Sequence, residues 1–303
     1  MPKRISVRVP ATSANLGCLF DSAALAVGLY LDIHVSPRTD STVTVKYNGA
    51  NPDRIPTDET NLIVRTMRDT LHGCGKHRGF DVEIENQIPV GVGLGSSAAA
   101  IVGSLAACHW LADKVFFDEE LISLAARLEG HPDNVATAWL GGFTLSVQVE
   151  DKVISRSCPI PETLQLVVVV PDYPLSTEKA REVLPASYTR SDAIHNMQRA
   201  AVIAASFFSR KPDLHPFLFD DRWHQPYRAP LIPGLSEVLS LKLPGLLGVC
   251  LSGAGPAILA FTRNNGAATG EVIREMLNRH GIASQALLLS PDNKGAKGWS
   301  TPG

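Results

Sequence analysis

The segment Pro89-Val90-Gly91-Val92-Gly93-Leu94-Gly95-Ser96-Ser97-Ala98-Ala99 carries the densest chemical signal in the chain. Its alternating glycines let backbone N–H groups approach an anion with no Cβ in the way. The small residues from Ser96 onward predict a helix whose free N–H groups and positive dipole end face back onto the loop. Together these features predict a cradle for the phosphates of a nucleotide, with the Ser96 and Ser97 hydroxyls placed to reach a phosphate oxygen or a divalent cation. Three other readings compete. A Walker loop needs Gly-x4-Gly-Lys-Ser/Thr, and no lysine stands here. A dinucleotide fingerprint is nearly met by Gly91-x-Gly93-x-x-Ser96, but that motif should follow the first strand of a regular βαβ unit. A tight strand-to-helix turn without a ligand accounts for two glycines better than for three followed by paired serines.

The surrounding pattern supplies elements to hold such a loop. Ile5, Val7 and Val9 alternate as one face of a strand, and 32–35, 42–47 and 81–88 predict further strands. A short helix is predicted over 60–71. A longer one over 96–113 places Ile101, Leu105, Cys108 and Leu111 on one stripe. Asp118 is expected to cap the next helix, with Leu121, Leu124, Ala125 and Leu128 in register and Gly130 as its stop. A strand over 142–149 follows. The polar, proline-bearing stretch 151–161 predicts a division into an N-terminal unit, 1–155, and a C-terminal unit, 156–303. The run 164–170 is apolar throughout, which predicts a strand buried on both faces. Ser176 opens a helix ending before Pro185, and Ser191 is expected to cap a longer one reaching Arg210. Strands over 248–252, 257–262 and 283–289 and a helix over 269–280 complete an α+β arrangement in two lobes.

Hydrophobic residues at 45% are ample for a core, and a net charge of −2 lacks the basic footprint of a nucleic-acid binder. The longest apolar runs, 166–170 and 246–251, are too short to cross a bilayer, and the first ten residues hold no apolar stretch of signal-peptide type. Cys18, Cys74, Cys108, Cys158 and Cys250 are scattered and never form Cys-x-x-Cys, the usage of reduced thiols in a cytoplasmic protein. His72, Cys74 and His77 lie close together, but the glycines and lysine between them favour an exposed turn over a metal site.

The loop at 89–99 resembles the Pro-x3-Gly-Leu-Gly-Ser-Ser-Ala-Ala motif of the GHMP kinases, which include galactokinase, mevalonate kinase and homoserine kinase. The family's other motifs stand in the right order, as Pro10-Ala11-Thr12-Ser13-Ala14-Asn15-Leu16-Gly17 with Phe20-Asp21, and Leu251-Ser252-Gly253-Ala254-Gly255-Pro256. Within the family, the segments at 129–135, 176–185 and 221–228 are similar to the homoserine kinase branch. The resemblance implies a ribosomal-S5-like N-terminal lobe, a ferredoxin-like C-terminal lobe, ATP and Mg²⁺ as cofactors, and L-homoserine as the small-molecule substrate. A homodimer is compatible with it. A kinase for another small alcohol and a nucleotide-binding sensor without catalysis stay open beside it.

The resemblance also implies roles. Pro89 to Ala99 would hold the nucleotide. Arg181 and Arg228 would grip a carboxylate, as a guanidinium fork does, with Thr177 one helical turn before Arg181. Asn15, Asp21 and Asp133 would hold the ammonium and orient the hydroxyl. Relatives with other substrates carry a catalytic aspartate where this chain has Asn134, so the resemblance implies no dedicated carboxylate base at that point. Asp133, Asn134 and Arg181 are expected to align the reacting groups, and a role for Asp133 in taking the proton stays open beside that. Ser97 is the first choice as Mg²⁺ ligand and Glu129 the second, because the position of the metal glutamate in some relatives is Ser123 here. Gln225 replaces the glutamate usual in the segment before Arg228.

Overall fold

In the computed structural model, which describes residues 4–112 and 116–301, Ile5, Val7 and Val9 bury one face of β1 (Arg4–Ala14). β1 lies antiparallel to the long β2 (Ala23–Pro37), with a bulge at Pro10/Ala11, where proline has no N–H for the ladder. β3 (Val43–Gly49) runs parallel to β4 (Phe80–Asn86), and β4 pairs with the second half of β2. The first half of β2 pairs instead with β5 (Phe143–Val149), which continues into a hairpin with β6 (Lys152–Cys158). Helices α1 (Leu62–Gly73), α2 (Ser96–Ala112), α3 (Asp118–Glu129) and α4 (Asp133–Leu140) cover this sheet. α2 packs against β1, α1, α3 and α4. Its Ala-rich surface is buried on most sides, which allows so close a fit.

The second sheet holds β7 (Gln165–Pro171), β8 (Leu246–Leu251), β9 (Ile258–Thr262) and β10 (Ser284–Leu289) in the order β10-β7-β9-β8. Between β7 and β8 come α5 (Thr177–Glu182), α6 (Arg190–Phe208), α7 (Gln225–Arg228) and α8 (Leu235–Leu239), and α9 (Gly266–Arg279) precedes β10. This is the antiparallel βαββαβ order of the expected ferredoxin-like lobe. β7 is buried on both faces: Leu166 and Val168 join the core of the first sheet, while Val167 and Val169 pack with Ile273 and Leu277 of α9. Phe207 of α6 links the layers, stacked on Phe143 at 4.2 Å and edge-on to Phe261 at 6.2 Å. The last strand, β11 (Lys297–Thr301), returns to pair with β1.

Several local expectations are corrected. The stretch 151–161 is no linker, because its residues 152–158 form β6 against β5. A cut at 155/156 would divide that strand, so we place the passage between sheets at 159–164. Asp118 is the first residue of α3 rather than its cap, and its carboxylate accepts from Trp139 Nε1 at 3.0 Å. α6 is capped by Thr189, not Ser191: Thr189 has an acid three residues on, and its Oγ1 accepts from the Asp192 N–H while bonding the Asp192 carboxylate. The expected end of α2, Asp113, lies outside the described residues. Among the described residues no helix is long and apolar enough to cross a membrane.

Candidate active site

The loop before α2 is held by the two other motifs. The carbonyls of Val92, Gly93 and Leu94 accept from Ala257 N (2.9 Å), Ser252 Oγ (2.6 Å) and Thr12 N (3.1 Å). In a trans peptide the N–H points opposite to the carbonyl. The N–H groups of Gly93, Leu94 and Gly95 are therefore turned the other way, and they donate to no other described residue. Glycine is required at two of these positions. Gly93 (φ 88°) and Gly95 (φ 67°) take left-handed backbone, and an added Cβ would collide with the Ser252 carbonyl and with Thr12 Oγ1 respectively. The result is a row of free amides at the start of α2, in the wall of a cavity of about 580 Å³.

Ser97 Oγ, in the first turn of α2, donates to Glu129 Oε1 at 2.6 Å. Burial raises the Glu129 carboxyl above its ordinary range, against the opposing bond from Ser97. Beside it, Asp133 is buried and its Oδ1 lies 2.6 Å from His131 Nδ1 while accepting from the Asn134 N–H at 2.7 Å. Burial disfavours the charged His131 ring. The hydrogen bond and charge of Asp133, with Glu129 and Asp21 adding, nevertheless hold its pKa above the ordinary value. Asn134 Oδ1 accepts from Thr12 Oγ1 at 2.7 Å, which locks the Asn134 amide beneath the phosphate loop.

Across the cavity stand the groups of opposite charge. Arg181 of α5 grips Asp21 through two bonds of 3.1 Å. Asp21 (φ 51°) is fixed by its own N–H, which donates to Asn15 Oδ1 at 2.9 Å, and Asn15 Nδ2 in turn donates to the Gly253 carbonyl at 2.8 Å. Arg228 is 1% exposed, and its partners are the carbonyls of Ala180 (2.9 Å) and Gly253 (3.1 Å) and Nδ1 of His224 (3.2 Å), all neutral. Burial, and then the charge of Arg181, push its pKa down to about 10. A buried guanidinium with no carboxylate partner among the described residues, at the wall of a cavity, has the chemistry to receive an anion. Both guanidinium groups lie over the Phe20 ring, Arg228 at 5.3 Å and Arg181 at 5.9 Å from its centroid.

Residues 61–142 match the GHMP kinases N terminal domain, and 210–283 match the GHMP kinases C terminal domain. The chain is 40% identical over 292 residues to the homoserine kinase of Solibacter usitatus, covering 95% of each chain. The chain belongs to the GHMP kinase family. Its homoserine kinase relative from Desulfitobacterium hafniense is 41% identical over 295 residues, covering 96% of this chain and 99% of that one. The crystal structure of homoserine kinase from Cytophaga hutchinsonii superposes with a TM-score of 0.87 at 27% identity, covering 99% of this chain and 98% of that chain.

The family fold gathers the expected site residues around one cavity: Asn15, Asp21, Gly91, Gly93, Leu94, Gly95, Ser96, Ser97, Glu129, Asp133, Asn134, Thr177, Arg181 and Arg228 all contribute to its wall. Val90 lines it as well, whereas Pro89, Val92, Ala98 and Ala99 do not. Ser123 lies elsewhere, its Oγ accepting from Val153 N against β6, so Glu129 is the carboxylate beside Ser97. Gln225 is structural: it donates to the Phe219 carbonyl and accepts from the Leu251 N–H, a pairing that an ionised glutamate could not complete. The far end of the cavity, formed by Tyr47, Ile55, Pro56, Leu62 and Ile63, was not foreseen. The one local signal there is Asn61, whose side chain caps α1 and so fixes where that wall begins.

Proposed function

We propose that the chain transfers the γ-phosphoryl group of ATP to the side-chain hydroxyl of L-homoserine, giving O-phospho-L-homoserine in threonine biosynthesis. The observation that carries this is the buried, carboxylate-free guanidinium of Arg228 beside the Asp21–Arg181 pair. A zwitterionic amino acid can exchange into that pair, its ammonium replacing Arg181 on Asp21 and its carboxylate meeting Arg181 and Arg228. A sugar, with neither charge, leaves both sites unanswered, and mevalonate, a carboxylate without an ammonium, leaves Asp21 unanswered, so the pocket favours an amino alcohol acid over either. Thr177, one turn before Arg181, faces the same end.

The purine fits the apolar end of the cavity, and the phosphates then lie along the amides of Gly93 to Gly95 and the first turn of α2. The acceptor oxygen attacks the γ-phosphorus as the bond to the bridging β–γ oxygen breaks and ADP leaves, and the hydroxyl proton passes to solvent by way of a phosphoryl oxygen. Asp133 Oδ2 accepts no hydrogen bond from another described residue, and it orients the acceptor hydroxyl. Asp133 Oδ1 is held at 2.6 Å by His131 Nδ1, a fixed placement that suits a loose transfer governed by alignment. Ser97 and Glu129 fit Mg²⁺, since they present a hydroxyl and a carboxylate 2.6 Å apart beside the phosphate loop. When bound there, the ion would neutralise phosphate charge.

ADP release with Mg-ATP, measured against L-homoserine, L-serine, L-threonine, mevalonate and galactose, tests this reading. Turnover confined to L-homoserine is the expected result, and preference for any of the other acceptors would overturn it.

A further inference from the structure

One fully buried ring lies behind the acceptor pocket without lining the cavity. His224 stacks on Phe20 with ring centroids 5.3 Å apart. Its Nε2 lies 2.8 Å from the Gly17 carbonyl and its Nδ1 3.2 Å from Nη1 of Arg228. A carbonyl only accepts and a guanidinium only donates, so the ring is the neutral tautomer with its proton on Nε2. Burial and the charge of Arg228 favour that neutral form over the opposing pull of Asp221 and Asp21. The backbone beneath the ring is pinned as well: Asp221 Oδ2 accepts from the N–H of His224 at 2.9 Å and of Gln225 at 2.7 Å, and Asp221 Oδ1 accepts from Asn196 Nδ2 at 2.6 Å. His224 thus joins two segments that the acceptor must find together, the β1–β2 connection that presents Asp21 and the short helix that presents Arg228.

We propose that His224 is a positioning residue for the acceptor carboxylate. By accepting from Nη1 it fixes the rotation of the Arg228 guanidinium, so that the Nη2 edge, which bonds no other described residue, is aimed into the cavity. By donating to Gly17 it ties that aim to the turn carrying Asp21. The same geometry makes Phe20 the floor on which both the ring and the guanidinium rest. The proposal rests on the acceptor reading above, because it assigns a carboxylate to Arg228.

Two variants separate positioning from packing. His224→Asn places an amide oxygen where Nδ1 stands and keeps the bond to Arg228. His224→Gln places its amide where Nε2 stands and keeps only the bond to Gly17. The KM for L-homoserine is expected to rise about tenfold in His224→Gln, the scale of one hydrogen bond to a charged group, and to stay within about threefold of wild type in His224→Asn. The KM for ATP should be the same in all three proteins. With 3-aminopropan-1-ol, which lacks the carboxylate, kcat/KM should not distinguish them. The reverse order of the two variants, or a loss shared equally by ATP and 3-aminopropan-1-ol, would leave His224 a packing residue only.

The wild-type protein provides a readout that does not depend on a variant folding. In spectra of isotope-labelled histidine nitrogens, the Nδ1 resonance of His224 should move on saturation with L-homoserine and not with ATP alone. An unmoved resonance overturns the proposal. Absence of any homoserine turnover by the wild-type chain is a different failure, since it removes the acceptor reading itself and the role of His224 with it.

Discussion

The two ends of the cavity are built on opposite principles. On the proposed reading the phosphate end is backbone: the consecutive amides of Gly93, Leu94 and Gly95 donate to no other described residue, and side chains matter there chiefly by being absent. The acceptor end is side chain: Asp21, Asp133, Arg181 and Arg228 come from four separated segments and are aimed by hydrogen bonds to Asn15, His131 and His224. A phosphate chain is the same in every kinase of this kind, so it can be met by a generic and rigid backbone surface. An acceptor has to be distinguished from others, which needs charges held at particular places, and burying those charges requires each to be oriented by a neighbour.

The contrast can be broken most directly at Arg228. Arg228→Ala should raise the KM for L-homoserine about 100-fold, as loss of a buried charge contact does, while the KM for ATP stays within about twofold. An equal loss for both substrates would show that the two ends are not separate. Gly93→Ala tests the backbone end. Its left-handed φ and the approach of the Ser252 carbonyl predict weaker ATP binding by about thirtyfold, with L-homoserine KM little changed when ATP saturates. Normal ATP affinity in that variant would remove the loop from the nucleotide site.

A smaller effect is expected where the ends meet. Thr12→Val deletes the hydroxyl that holds Asn134 Oδ1 and should lower kcat about fivefold with both KM values nearly kept, which steady-state kinetics at saturating substrates would read. An unchanged kcat would show that the Asn134 amide needs no anchor. The smallest effect concerns stability. Burial raises the Glu129 pKa above its ordinary 4.5, so the folded state binds the proton more readily than the unfolded chain. Stability from this group is therefore full below about pH 4.5 and is lost as the pH rises through the folded-state pKa. Glu129→Gln should then melt a few degrees higher than wild type at pH 8 without Mg²⁺, on the scale of about 1 kcal/mol, and the gain should shrink toward acid. Thermal melts across that range measure it. A gain that did not depend on pH would have another cause.

The glycine loop was legible in the sequence because it lies in contiguous residues and is built on the amino acid that takes positive φ most readily. Most strands and helices were legible for a similar reason, since period and caps are local, and β7 declared its burial by being apolar at every position. What escaped was decided at long range. β6 reads as a polar connection until β5 supplies its partner, and β11 carries little strand signal of its own beside β1. The cap of α6 was a local misreading instead: Thr189 Oγ1 accepts from the Asp192 N–H three residues on, and Ser191 lies inside the helix.

For the site, family motifs named Ser97, Glu129, Asp21, Arg181 and Arg228, but the pairings among them were not written in their spacing. Ser97 and Glu129 meet across 32 residues, Asp21 and Arg181 across 160, and Gly17 and His224 across 207. The sequence by itself determined the local pieces of this protein: a glycine loop able to cradle phosphate, the helix that follows it, and the charged residues available for recognition. The tertiary structure alone decided which charge faces which, that Arg228 is buried without a counter-ion among the described residues, and that His224 stands behind it. Hydrogen bonds and burial act over a few ångströms in space and carry no trace of distance along the chain, so only the closing of the two sheets around one core brings those partners within reach.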